Sequence, residues 1–179
     1  MSGGRSPSSV SAMEIRDATD ADAAAISELY NATVAETTVA WTEEHETLAT
    51  RQTWMHQQAA TGNPVLVAEV DSRVVGFAAY DDFRNTVKWP GYRFTVEHTI
   101  HVDAAHQGSG VGSNLLQALL RRATTAGKHV MIGAIDGDNA RSIRFHQRHG
   151  FIEVARLPET GFKFGRWLDL VLLHRKLPS

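Results

Sequence analysis

The sequence predicts an α/β domain. Seven short segments alternate apolar with polar residues or run apolar throughout, as strands do, and four longer stretches repeat their apolar residues at helical spacing. One strand also runs through a glycine-rich loop straight into a helix. At 179 residues the chain is long enough for one domain with a proper core and too short for two ordinary ones. We therefore expect residues 1–12, rich in Ser and Gly, to be a disordered tail ahead of a single domain over residues 13–179.

Each element has its own warrant. Ile15 to Ala18 reads as a short strand, followed by Thr19 and Asp22 as a capping pair and by a helix burying Ala23, Ile26, Leu29 and Tyr30. Leu48, Trp54, Met55 and Gln58 mark a second helix, ended by Gly62 and Pro64. "VLVAEV" and "VVGFAAY" flank Asp71, Ser72 and Arg73 as a β-hairpin. In "RFTVEHTIHV" the period of two puts Val96, His98, Ile100 and Val102 on one face and Thr95, Glu97, Thr99 and His101 on the other. Val111, Leu115, Leu119 and Ala123 form a helical stripe capped by Gly127. "HVMIGAI" reads as a buried strand, "NARSIRFHQRHG" as a helix, and "FIEVARL" and "WLDLVLLHRKL" as two closing strands.

Composition removes several classes of function. A formal net charge of -2 offers no field to gather nucleic acid or an anionic membrane, so a small molecule is the expected partner. The chain has no cysteine, which excludes disulfides, zinc–thiolate sites and thiol nucleophiles and is compatible with a reducing, cytoplasmic location. No apolar run approaches the roughly 20 residues that cross a bilayer. Among the nine histidines, His98 and His101 point to opposite faces of one strand and His106 lies in the loop, so no metal site is expected.

The glycines suggest bare backbone meeting a phosphate at a helix N-terminus, where unpaired N–H groups gather. A dinucleotide fingerprint needs a sixth-position glycine, and counting from Gly108 that place holds Ser113. A P-loop needs a lysine after its last glycine, but Gly112 is followed by Ser113 and Asn114. Both readings fail on spacing. The run Gln107, Gly108, Ser109, Gly110, Val111, Gly112 resembles instead the Q/R-x-x-G-x-G/A signature of the GCN5-related N-acetyltransferases, the GNAT superfamily. The helix from Asn139 through Ser142 and His146 to Gly150 and Phe151 is similar to that family's later asparagine-bearing helix. From Ile15 to the C-terminus the chain resembles the phosphinothricin acetyltransferase and methionine sulfoximine/sulfone acetyltransferase branch, and "ETTVAW" and "KFGRWLDL" match the second subgroup more closely.

The resemblance implies a mixed, mostly antiparallel sheet flanked by helices and splayed where acetyl-CoA enters. It implies that backbone from Gln107 to Ser113, with Ile100, His101 and Val102 before it and Asn139 and Ser142 after it, binds acetyl-CoA. It also implies an oxyanion donor near Val102 and a homodimer. An amine must lose a proton before it attacks a thioester, and Glu97, mid-strand on the polar face, is our candidate general base. His146 stands where most of the superfamily has tyrosine, and either protonates the departing thiolate or only hydrogen-bonds the sulfur or a water.

For the acceptor we expect the α-amino group of a small amino-acid analogue of the methionine sulfoximine, methionine sulfone or phosphinothricin type. Arg84 is the candidate clamp for its carboxylate, Trp41 an apolar wall, Lys163 and Arg166 pocket-shaping cations, and Glu97, His98 and Thr99 the strand residues beside it. Lys163 and Arg166 read equally as surface charges. Two alternatives stay open: another amine, such as a protein N-terminus or a polyamine, and a non-catalytic acyl-CoA sensor.

Overall fold

In the computed structural model residues 12–178 are described, so all of the expected tail except Ala12 lies outside the described residues. Among the described residues seven strands form one sheet: β1 (Met13–Asp17), β2 (Val65–Val70), β3 (Arg73–Asp82), β4 (Thr95–Val102), β5 (Val130–Asp136), β6 (Ile152–Lys163) and β7 (Arg166–Lys176). Their order across the sheet is β1-β2-β3-β4-β5-β7-β6, and every neighbouring pair is antiparallel except β4 and β5. Four α-helices flank it: α1 (Ala23–Glu36), α2 (Leu48–Thr61), α3 (Val111–Thr125) and α4 (Ala140–Arg148).

The strand periodicity divides the core in two. Val96 of β4 and Ala78 and Tyr80 of β3 turn toward α3, where Leu115, Leu116 and Leu119 are fully buried. Phe77 and Ala79, one residue out of phase with them, turn to the other face and meet Ile26 of α1 and Met55 of α2. Burial of such apolar side chains, at about 25 cal/mol per Å², is what fixes the register, because a one-residue slip would expose every one of them.

Local chemistry sets the ends of the elements. Asp22 accepts from the Thr19 N–H at 2.7 Å and closes the start of α1, and Gly62 ends α2 in the left-handed region at φ 74°. Asp71 and Ser72 both have positive φ, giving the two-residue turn that matches strand twist; Arg73, expected in that turn, already belongs to β3.

Strand β6 runs further than the sequence suggests. The expected strand ends at Leu157, before Pro158, but pairing with β7 resumes at Gly161 after a bulge. Glu159 sits there at φ 51°, its N–H bound to Asp169 at 3.0 Å, so Pro158 falls where no ladder hydrogen bond is needed.

The parallel contact shapes the site. β4 pairs with β3 over seven positions and β5 with β7 over seven, but β4 and β5 pair only at Thr95/Val130, Val96/Met131 and Glu97/Ile132. Beyond Glu97 the two strands separate, and their facing edges lose each other as partners.

Candidate active site

The gap between β4 and β5 is where backbone becomes available. Phe94 accepts from Val130 across that edge, while Asp103 donates to Val75 on the other. Because main-chain groups alternate sides along a strand, the N–H and C=O of Ile100 and Val102 face the gap. The Val102 carbonyl is met there by Gln107 Nε2 at 3.4 Å, and Gln107 Oε1 accepts from Arg141 of α4 at 2.8 Å. Gln107 thus ties the end of β4 to α4 through its side chain.

The glycine loop follows at once. Gly108 and Gly110 take φ 82° and 95°, a region that favours glycine, and Ser109 Oγ donates to the His106 carbonyl at 2.6 Å. Val111, Gly112 and Ser113 open α3, so their N–H groups belong to the helix turn that has no carbonyl four residues back. Gly112 lies against Phe145 of α4. On the other wall Asn139 caps α4, its Oδ1 accepting from the Ser142 N–H at 3.0 Å. Asn139, Ser142 and His146 then line the cleft together, as their spacing implies, with Ile135 and Asp136 of β5.

On the α4 side, His146 Nδ1 lies 2.7 Å from the Ser142 carbonyl. A carbonyl only accepts, so Nδ1 carries the hydrogen. Burial pushes the ring's pKa down, against the raising effect of the Ser142 hydrogen bond, so the ring is neutral at pH 7 and Nε2 offers a lone pair. That atom is buried and has no partner among the described residues. His98 stacks on the same ring with centroids 5.0 Å apart, and burial pulls its pKa down to about 3.

Glu97 projects from the opposite face, at the last residue before the strands part. Burial raises its pKa, and the charge of Asp81 adds to the rise. Asp81 stands directly across the β3–β4 ladder. Further along this face, Thr99 Oγ1 and Thr33 Oγ1 hold the two nitrogens of His101 at 2.8 and 3.0 Å, and Phe77 stacks on its ring. The His101 side chain is therefore spent under α1, and its main-chain groups turn to β3 rather than to the gap, so the expected role of His101 in holding acetyl-CoA falls to its neighbours Ile100 and Val102. Among the described residues no group of three or more His, Cys, Asp or Glu could hold a metal.

The outer candidates separate into two kinds. Arg84 is exposed in the loop after β3, over the rings of Phe83 and Tyr92, and pairs with no carboxylate among the described residues. Arg166 binds Asp138 at 2.8 Å beside the α4 N-terminus, at the edge of the cleft. Trp41 covers Gly161 so closely that a Cβ there would lie 2.1 Å from its ring.

One further expectation needs correcting. Lys163 does not offer its ammonium to a substrate: it is fully buried, and Nζ donates to the carbonyls of Val34, Thr37 and Ala40 at 2.7, 2.6 and 2.7 Å. It anchors the loop after α1 instead. The His98 ring lies on the face opposite Glu97, as the strand alternation places it, and there it stacks on His146 and lines the cleft beside it.

Sequence reasoning also missed residues that build the site. Asp136, 4% exposed, accepts from Thr38 Oγ1 and draws the loop after α1 over the end of β5. Arg141, Gln58 and Asp81 act through partners distant in sequence. Only the "DD" before Arg84 was a visible signal.

No helix of the described residues is long and apolar enough to cross a membrane. Residues 26–151 match the Acetyltransferase (GNAT) family. The chain is 43% identical over 165 residues, 92% of this chain and 95% of the relative, to the L-methionine sulfoximine/L-methionine sulfone acetyltransferase of Salmonella typhimurium. It is 41% identical over 165 residues, 92% and 94% of the two chains, to an L-amino acid N-acyltransferase of Escherichia coli. A phosphinothricin acetyltransferase of Sinorhizobium meliloti, solved in complex with acetyl-CoA, superposes with a TM-score of 0.88 at 34% identity, covering 92% of this chain and 88% of that one. The glycine loop, the gap-facing amides of β4 and the unpartnered Nε2 of His146 fit that ligand's acyl-carrying arm and phosphates. Sequence, fold and cleft converge, and the chain belongs to the GNAT acetyltransferase family as an acetyl-CoA-dependent N-acetyltransferase.

Proposed function

We propose that the acceptor is the α-amino group of a small amino-acid analogue of the methionine sulfoximine, methionine sulfone or phosphinothricin type, and that Glu97 is its general base. The observation that carries this reading is the position of Glu97: a desolvated carboxyl at the residue where β4 and β5 part, with the unpaired Arg84 in the loop that joins β3 to β4. The relatives named above support the acceptor class.

Acetyl-CoA supplies an acetyl group activated as a thioester. Glu97 takes one proton from the substrate ammonium, leaving a neutral nitrogen able to attack, while Arg84 holds the substrate carboxylate. The gap-facing N–H of Val102 donates to the acyl oxygen as negative charge gathers on it. His146 Nε2, neutral and with Nδ1 bound to Ser142, acts as a hydrogen-bond acceptor toward the acyl-carrying arm or an ordered water. The chain has no cysteine to carry the acetyl group, so transfer is direct, within one ternary complex.

We extend the proposal to a cytoplasmic homodimer. Ile152, Val154, Phe162 and Phe164 on or beside β6 and Trp167 of β7 are all about half exposed or more, on the edge hairpin of the sheet. Sedimentation should give a dimer, and Val154→Asp with Trp167→Asp a monomer.

The test of the function is acetyl-CoA consumption against methionine sulfoximine, methionine sulfone, phosphinothricin, ordinary amino acids, peptides and polyamines. The sulfoximine, sulfone or phosphinate should lead, and Glu97→Gln should cut kcat/KM by about 10²–10⁴. Acetylation of peptides or polyamines alone would refute the acceptor class, and a fully active Glu97→Gln would refute the base.

A further inference from the structure

We infer that Asp81 is a positioning residue for proton transfer, acting through Glu97 as its cross-strand partner. The inference rests on Glu97 being the base.

The register puts Asp81 opposite Glu97 in an antiparallel pair, so both side chains leave the same face of the sheet. Directly opposed Cβ atoms in such a ladder are about 4.5–5.5 Å apart, and like charges there are destabilising. A carboxylate kept in such a place needs a reason other than stability. Asp81 is also held rather than free: Gln58 Nε2 of α2 donates to it at 2.7 Å. Gln58 is 2% exposed, so a buried side chain is spent on fixing the carboxylate.

No cation relieves the pair among the described residues. On β3, Asp82 turns to the other face, toward Lys128 at 3.3 Å. On α2, Arg51 is bound by Glu46 at 2.6 and 2.7 Å and stacks on Trp54. On β4, burial brings His101 down to about 4, so it is neutral at pH 7. In the following loop Arg84 lies over aromatic rings. Asp81 is thus the charge that Glu97 feels, and together with burial it pushes the proton affinity of Glu97 up.

The consequence is chemical. In each turnover the substrate ammonium loses one proton to Glu97: an N–H bond breaks, an O–H bond forms, and the neutral amine then forms the C–N bond as the C–S bond breaks. The second amine proton ends on the sulfur, and Glu97 returns the first to solvent. A base whose pKa approaches that of the amine accepts the proton with a better driving force, provided it is still ionised at working pH.

The experiment is the pH profile of kcat/KM for wild type, Asp81→Asn, Asp81→Glu and Asp82→Asn. Asp81→Asn keeps an oxygen for Gln58 and removes the charge. Its acid limb should move down by roughly 0.5–1 pH unit, with the folded state no less stable to urea. Asp81→Glu should return the limb toward wild type, and Asp82→Asn should not move it. Titration of the Glu97 carboxyl by carbon NMR in wild type and Asp81→Asn reads the same shift without turnover. An acid limb and a carboxyl titration both unmoved in Asp81→Asn would overturn the inference. The base assignment fails separately, only if Glu97→Gln stays active.

Discussion

His98 and His146 stack with ring centroids 5.0 Å apart, and neither His98 nitrogen nor His146 Nε2 has a hydrogen-bond partner among the described residues. Such a pair must be neutral, and its neutrality links folding to pH. The folded-state pKa of His98 is depressed to about 3 and that of His101 to about 4, from an ordinary 6.5. Below pH 6.5 the unfolded chain therefore binds more protons than the folded one, so their stabilising contribution is complete above that value and is lost as pH falls toward 4. Each should cost about 1.4 kcal/mol per pH unit in this window. Urea unfolding at pH 7 and pH 5 should show the loss, and His98→Phe should shrink the difference by about 2 kcal/mol.

The Lys163 ammonium joins β6 to three carbonyls at and beyond the end of α1. Lys163→Met keeps the stem and removes the donor, leaving those carbonyls without it in a buried place. We expect a loss of about 2–4 kcal/mol in urea unfolding. Because the same loop carries Thr38 onto Asp136, KM for the amino-acid substrate should rise as well.

Gly161 makes room for Trp41, whose ring would lie 2.1 Å from an added Cβ. Gly161→Ala must move the indole, at a cost of about 1–3 kcal/mol. Tryptophan fluorescence should change, and KM for the amino-acid substrate should rise more than KM for acetyl-CoA. Equal rises in both would mean that Trp41 does not wall the acceptor side.

The glycines of the loop are not equivalent. Gly110 has φ 95°, where any side chain is strained, although an added Cβ would meet nothing nearer than Asn114 Nδ2 at 3.7 Å. Gly112 lacks positive φ, and its Cβ would make ordinary contact with Phe145 at 3.6 Å. Gly110→Ala should cost about 1–2 kcal/mol of stability and raise KM for acetyl-CoA several-fold. Gly112→Ala should leave the urea midpoint nearly unchanged.

The sequence by itself determined the elements and the cofactor loop, because both are written in local patterns. Period-two alternation in "TVEHTIHV", the helical stripe from Val111 to Ala123, and the spacing of Gln107, Gly110 and Gly112 depend only on residues close together in the chain. It also put Glu97 and His98 on opposite faces of their strand, since side chains in a strand must alternate. Only the tertiary structure decided what those faces meet. That Asp81 stands across from Glu97 depends on the register of β3 against β4, and that Lys163 is buried depends on where β6 passes α1, 123 to 129 residues away along the chain. The gap itself comes from β4 keeping to β3 while β5 follows β7. No local pattern encodes that divergence, because it arises from which edges find partners when the sheet closes.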